Sequence, residues 1–162
     1  MILIGFMGSG KTTIGNALAD TLNKELVDLD DVIPKLANKS IPEIFKASGE
    51  KTFREYEYKA LSLNLREDII LSTGGGIVSF DQSFELLKKQ NNLKIFFLNA
   101  PFDDMYERIY NDKTRPLGNQ EKEKVKALYE SRLDKYRALC DHEISTDKSI
   151  DETVDIILAN LY

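Results

Sequence analysis

The sequence predicts an α/β fold with a parallel sheet covered by helices on both faces. Three observations lead there. Short apolar segments alternate along the whole chain with longer stretches of helical period. Each candidate strand is separated from the next by a helical stretch, the pattern of parallel pairing. The first strand runs straight into Gly5-Phe6-Met7-Gly8-Ser9-Gly10-Lys11-Thr12, a complete G-x-x-x-x-G-K-[ST] loop that opens a helix. In such sheets ligands bind beyond the carboxyl ends of the strands, so chemistry is expected at that edge.

The elements follow in order. Strands are expected at 2–4, 25–28, 69–72, 94–98 and 142–145. Helices are expected at 11–22, 30–37, 41–48, 50–65, 82–89, 101–111, 121–139 and 149–161. Between the sixth and seventh helical stretches lies a polar segment at 111–121 that carries Arg115, Pro116 and Gly118. Its length fits a lid or a plain charged connector, and Arg115 favours a lid that closes over a phosphate.

Composition narrows the functions. The 162 residues suit one domain, and 42% hydrophobic with 30% charged residues is ordinary for a soluble globular chain. A net charge of −5 argues against nucleic acid or an anionic membrane as a main partner, yet leaves room for an anionic substrate held by a local cluster of cations. No apolar run approaches the roughly 20 residues of a membrane span. No leader pattern precedes the first strand, so a cytoplasmic protein is expected. Cys140 is the single cysteine, which fits a reducing compartment and a structural thiol.

The loop carries the clearest chemistry. Its glycines admit close approach of backbone N–H groups to phosphate oxygens, Lys11 supplies a point charge, and Thr12 offers a hydroxyl to Mg²⁺. Gly8, Ser9, Gly10, Lys11, Thr12 and Thr13 are therefore the nucleotide-binding set. After the second strand, period 2 would place Asp28 and Asp30 on one side, one to hold Mg²⁺ and the other to accept a proton from an attacking hydroxyl. Both residues equally suit helix capping, and Asp31 is the expected cap of the next helix. Arg54 has Glu50 four residues before it and Glu57 three after. That is either a solvated ion-pair face or an Arg held ready to grip a carboxylate with both arms. Gly74, Gly75 and Gly76 follow the third strand, where three glycines admit a ligand close to the backbone. Arg132 shares a helix stripe with Val125, Leu128, Tyr129, Tyr136 and Leu139, so it points inward and needs a carboxylate, either Glu57 or one from a substrate. His142 has no partner motif and is given no role.

Taken in order, these motifs resemble the shikimate kinase family. They are the phosphate loop, Asp-x-Asp, Ser-Ile-x-Glu-Ile-Phe at 40–45, Gly-Glu-x-x-Phe-Arg at 49–54, Gly-Gly-Gly at 74–76, Arg-Pro-Leu at 115–117 and Arg-x-x-x-Tyr at 132–136. The resemblance spans nearly the whole chain. It implies a three-layer phosphate-loop fold with strand order 2-3-1-4-5, read as one domain over 1–162 with an acceptor-binding helical region at about 30–65 and a lid at about 111–121. It implies ATP-dependent phosphorylation of the 3-hydroxyl of shikimate by a monomer that uses Mg²⁺. Carried over by motif, Lys11 and Arg115 hold the phosphates, Thr12 and Asp28 place the metal, and Asp30 is the candidate base. Arg54 and Arg132 pair with the shikimate carboxylate, and the glycines at 74–76 line its ring. Arg108 stacks on adenine, and the loop at 146–148 borders the base. Asn16 stands where family members often carry Arg. A gluconate kinase-like acceptor is the neighbouring alternative, since gluconate is also a carboxylated polyol. A regulatory nucleotide switch is the alternative of another class, but Asn38-Lys39-Ser40-Ile41 lacks the Asp of its base-recognition motif.

Overall fold

The computed structural model describes residues 1–112 and 121–162. Among these, β1 (Ile2–Ile4), β2 (Glu25–Asp28), β3 (Ile69–Ser72), β4 (Ile95–Asn99) and β5 (His142–Ser145) form one sheet of order β2-β3-β1-β4-β5. Every pairing is parallel, and the register puts Ile2 beside both Leu71 and Ile95. The helices are α1 (Lys11–Leu22), α2 (Leu29–Ala37), α3 (Ile41–Leu63), α4 (Asp81–Lys88), α5 (Phe102–Asn111), α6 (Lys122–Leu139) and α7 (Ile150–Ala159). The expected sheet, its order and its strands are all present, with the fourth strand displaced by one residue toward its carboxyl end.

Alternation along the strands divides the core in two. Ile2, Ile4, Ile69, Leu71, Ile95 and Phe97 face α2 to α6 and pack with Ile33, Phe53, Leu61, Ile109 and Tyr136. Leu3, Ile70, Phe96 and Leu98 face the other way, against Ile14 and Leu18 of α1 and Val154 and Ile157 of α7. Both faces are sealed, so the central strands β1, β3 and β4 read as nearly continuous apolar runs.

Local signals set the helix limits. Ser40 and Ser149 each close a reciprocal capping box, with Glu43 and Glu152. Asp28 caps α2 by accepting from the Asp30 amide at 3.0 Å. This corrects two expectations: Asp31 is not the cap, and, since the strand ends at Asp28 as expected and Asp30 sits on the first turn of the helix, strand period does not relate the two carboxylates. A 3-10 turn, Ile77–Ser79, follows the glycine run and was not expected.

The two helices read at 41–48 and 50–65 meet at Gly49, whose φ of 78° and ψ of −179° interrupt α3. Only glycine adopts that conformation cheaply. The break re-aims the second segment, which carries Arg54 and Glu57 toward the carboxyl edge of the sheet. A Cβ at Gly49 would meet nothing within 4 Å, so substitution there tests backbone strain alone. Gly49→Ala is expected to lower stability by about 1–3 kcal/mol in urea unfolding. An unchanged midpoint would show that the break is not strained.

Candidate active site

The carboxyl ends of β1, β2, β3 and β5 open onto one cleft of about 430 Å³. Its floor is the 5–12 loop. Gly10, with φ of 93°, is the N-cap of α1, so the unpaired amides of the first helical turn face the cleft. Lys11 Nζ donates to the carbonyls of Gly5 at 2.7 Å and Phe6 at 3.0 Å, which holds the ammonium over the loop. Arg108 of α5 donates to the Gly8 carbonyl at 2.8 Å. Gly8, Gly10, Lys11, Thr12, Thr13 and Arg108 all line the cleft, whereas Ser9 is fully buried beneath it. Asn16 is exposed on α1 and does not line the cleft.

Asp28 divides its two oxygens. Oδ1 caps α2, and Oδ2 accepts from Thr12 Oγ1 at 3.3 Å. The carboxylate is thereby fixed beside the hydroxyl, and the pair presents adjacent hard oxygen donors of the kind Mg²⁺ prefers. Among the described residues no cluster of three His, Cys, Asp or Glu could cage a metal. A cation here would therefore lean on Thr12, Asp28 and ligand oxygens, which is how Mg²⁺ is usually held on a nucleotide. Asp30 lines the same cleft from the first turn of α2.

The second half of the site lies past Asp30. Arg54 donates to Glu57 at 2.8 Å and to Glu50 at 3.4 Å, as the spacing suggested. Glu57 is 1% exposed, so this is a buried pair rather than a solvated face. Burial pushes the Glu57 carboxyl up against the pull of the Arg54 guanidinium. The guanidinium of Arg54 lies where a Cβ on Gly76 would fall, so Gly76 must be glycine for the Arg to occupy that place. Glu57 Oε2 and Asp30 Oδ1 lie on the same side of Gly74.

Arg132 points inward from α6 and is 8% exposed, as its helix position predicted. Its guanidinium faces the Phe6 ring and lies close enough to Tyr136 for its charge to be felt there, and the Tyr136 hydroxyl donates to the Gly75 carbonyl. Burial disfavours the charge on Arg132 and holds the Tyr136 phenol above its ordinary range. Glu57 and Arg132 feel each other's charge, yet no ion pair joins them within 4 Å. Arg54 Nε, Glu57 Oε2 and Arg132 Nε are buried without hydrogen-bond partners. Two cations and open donors around a glycine backbone suit a small hydroxylated acid.

Arg54, Gly76 and Arg132 do not line the 430 Å³ cleft, whereas Asp30, Gly74 and Gly75 do. Asp30 and those glycines thus form the seam between the two halves. Thr146 and Lys148 reach the cleft from the β5–α7 loop. Arg115 lies outside the described residues. Sequence reasoning missed two contacts, both made by long-range hydrogen bonds: Tyr136 to the glycine run, and Thr146 to the loop floor. The i, i+4 spacing of Arg132 and Tyr136 was the one local hint of the first.

The chain is similar in sequence and in fold to known proteins. A family model described as shikimate kinase matches residues 7–162. A shikimate kinase of Staphylococcus epidermidis is 38% identical over 99% of this chain and 94% of its own length. One from Caldicellulosiruptor bescii is 40% identical over 91% of this chain and 86% of its own. Among solved structures, shikimate kinase from Acinetobacter baumannii in complex with shikimate superposes with a TM-score of 0.86 at 34% identity, covering 98% of this chain and 92% of that one.

Tyr136→Phe removes the donor to Gly75 from a fully buried position and strands that carbonyl. Stability is expected to fall by about 1–3 kcal/mol, read from thermal or denaturant unfolding. A neutral substitution would mean that Gly75 finds another donor.

Proposed function

The chain belongs to the shikimate kinase family, and we propose that it transfers the γ-phosphoryl group of ATP to the 3-hydroxyl of shikimate. The products are ADP and shikimate 3-phosphate, on the route to chorismate and the aromatic amino acids. The observation that carries this reading is the placement of Asp30. It faces the phosphate-loop cleft on one side and the glycine run with its buried Arg54–Glu57 pair on the other. An acceptor gripped by Arg54 and Arg132 would present a hydroxyl to Asp30 and to the terminal phosphate together.

In the transfer step the O3 oxygen of shikimate bonds to the γ-phosphorus, the bond to the β,γ-bridging oxygen breaks, and ADP leaves. The O3 proton passes to Asp30. Because the transition state is loose, positioning and charge stabilisation supply most of the acceleration. Lys11 and the amides of Gly8, Gly10, Lys11, Thr12 and Thr13 hold the phosphates, Ser9 shapes the loop from beneath them, and Arg115 joins them on closure. Thr12 and Asp28 would hold Mg²⁺, which would supply positive charge beside the phosphates as negative charge develops there. Arg54 and Arg132 bind the carboxylate, and Gly74, Gly75 and Gly76 let the ring approach the backbone. Arg108 packs on the adenine, beside the 146–148 loop. The whole of 1–162 is read as one kinase domain, with its acceptor region at about 30–65 and its lid at about 111–121. We further read it as a cytoplasmic monomer. No helix among the described residues is long and apolar enough to cross a membrane.

ADP release measured with ATP, Mg²⁺ and either shikimate or gluconate tests the reading. Turnover with shikimate alone is expected. Turnover with gluconate alone would move the enzyme to another acceptor, and nucleotide binding without turnover would make it a switch. Asp30→Asn is expected to lower kcat by about a hundredfold or more. Arg54→Ala or Arg132→Ala is expected mainly to raise the shikimate KM, by roughly ten- to hundredfold for a lost charge-assisted contact. Wild-type shikimate affinity in either variant would overturn the clamp.

A further inference from the structure

The peptide joining Ser9 to Gly10 is trans, so the Ser9 carbonyl and the Gly10 N–H point to opposite sides. The direction of that amide is a weak point of the loop. Gly10 has no Cβ within which to be packed, and with φ of 93° it rests in a region that glycine alone enters and leaves freely. Something outside the loop must fix it. Thr146 Oγ1 donates to the Ser9 carbonyl at 2.9 Å across 137 residues of sequence. With that carbonyl turned toward the β5–α7 loop, the Gly10 N–H is turned the other way, into the cleft that Gly10 lines.

Thr146 is held in its turn. Its amide donates to the Asn99 carbonyl at 2.7 Å, and the same carbonyl lies 3.2 Å from its hydroxyl. A hydroxyl has one proton, and the shorter approach is to Ser9. Asn99 ends β4, and its side chain makes three hydrogen bonds. Oδ1 accepts from the Tyr129 hydroxyl at 2.9 Å and from the Ala100 amide at 3.1 Å, while Nδ2 donates to Glu143 at 3.0 Å. Glu143 takes both arms of Arg137 from α6, at 2.8 and 3.1 Å. One chain of polar contacts thus runs from α6 and β5 through the end of β4 to the floor of the phosphate loop.

We propose that Thr146, braced by Asn99, is a positioning residue for the nucleotide, and that it aims the Gly10 N–H at a phosphate oxygen. This rests on the reading of the 5–12 loop as the nucleotide site. It predicts that nucleotide binding, but not acceptor binding, depends on one hydroxyl that has no need to touch the nucleotide.

Calorimetric titration of the full chain with Mg·ADP, alongside the shikimate KM, tests it. Wild type should bind Mg·ADP; if it does not, the nucleotide reading itself fails. Given that binding, Thr146→Val should weaken Mg·ADP by about five- to tenfold. The shikimate KM should stay within about twofold, since the acceptor half is separately supported. Thr146→Ser, which keeps the hydroxyl, should restore wild-type affinity. Asn99→Ser removes the links to Tyr129 and Glu143 but leaves the main-chain carbonyl, and should weaken Mg·ADP by about two- to fourfold. It carries the test if the valine variant does not fold. Unchanged Mg·ADP affinity in a folded Thr146→Val or Asn99→Ser chain overturns the proposal. So does equal loss for both ligands, or failure of serine to restore binding.

Discussion

A parallel sheet buried on both faces leaves its edge as the place where strand ends can meet a ligand. That constraint organises this protein. The apolar runs of β1, β3 and β4 are needed because helices seal both sides, and sealing both sides sends all polar business to the carboxyl ends. The phosphate loop leaves β1, Asp28 ends β2, the glycine run leaves β3, Asn99 ends β4 and Thr146 follows β5. The parallel register brings those five ends to one rim, and α3 and α6 add Arg54 and Arg132 to it.

Charge at that rim runs against the sign of the chain. A molecule of net charge −5 that binds anions must gather cations locally, and gathered cations repel one another when buried. Glu57 answers this. It is buried between Arg54, which it contacts, and Arg132, whose field it feels. Among the buried groups one carboxylate faces two guanidiniums, while Glu50, which also takes Arg54, stays in solvent. Tyr136 sits beside Arg132, whose charge it feels, and its hydroxyl donates to the Gly75 carbonyl. Such an arrangement contributes little to stability by itself, because desolvation offsets most of the attraction. Its value lies in direction: each guanidinium has a fixed place against a backbone that glycine keeps open.

Much of this was legible in the residues, and the gaps have physical causes. Strands at 2–4, 25–28, 69–72 and 142–145 were readable because apolar period and turn residues agree there. The start of β4 was misplaced by one residue because Lys94 and Asn99 are both polar ends of one apolar run. Gly49 announced the break in α3, since no other residue sits there without strain. Asp28 and Asp30 were matched to the right cleft by a wrong route. The strand stops at Asp28, and the two carboxylates converge because a helix turns the chain. The assignment of the cap to Asp31 failed for the same reason. The hydrogen bonds of Asn99 and Thr146 could not have been read, because they join residues 30 to 137 positions apart; only the place of Thr146 in the loop at 146–148 was marked, by the family resemblance.

The division of the core into two clusters has a consequence for how such a molecule can change. The helix that follows the phosphate loop packs with α7 on one face of the sheet, while α2, α3 and α6, which carry Asp30, Arg54 and Arg132, pack on the other. Side chains on the two faces do not compete for the same volume. Substitutions in the packing of α2 and α3 can therefore alter the acceptor side without disturbing α1 and α7, whereas α5 and α6 serve both sides, because Arg108 reaches Gly8 and Tyr129 reaches Asn99.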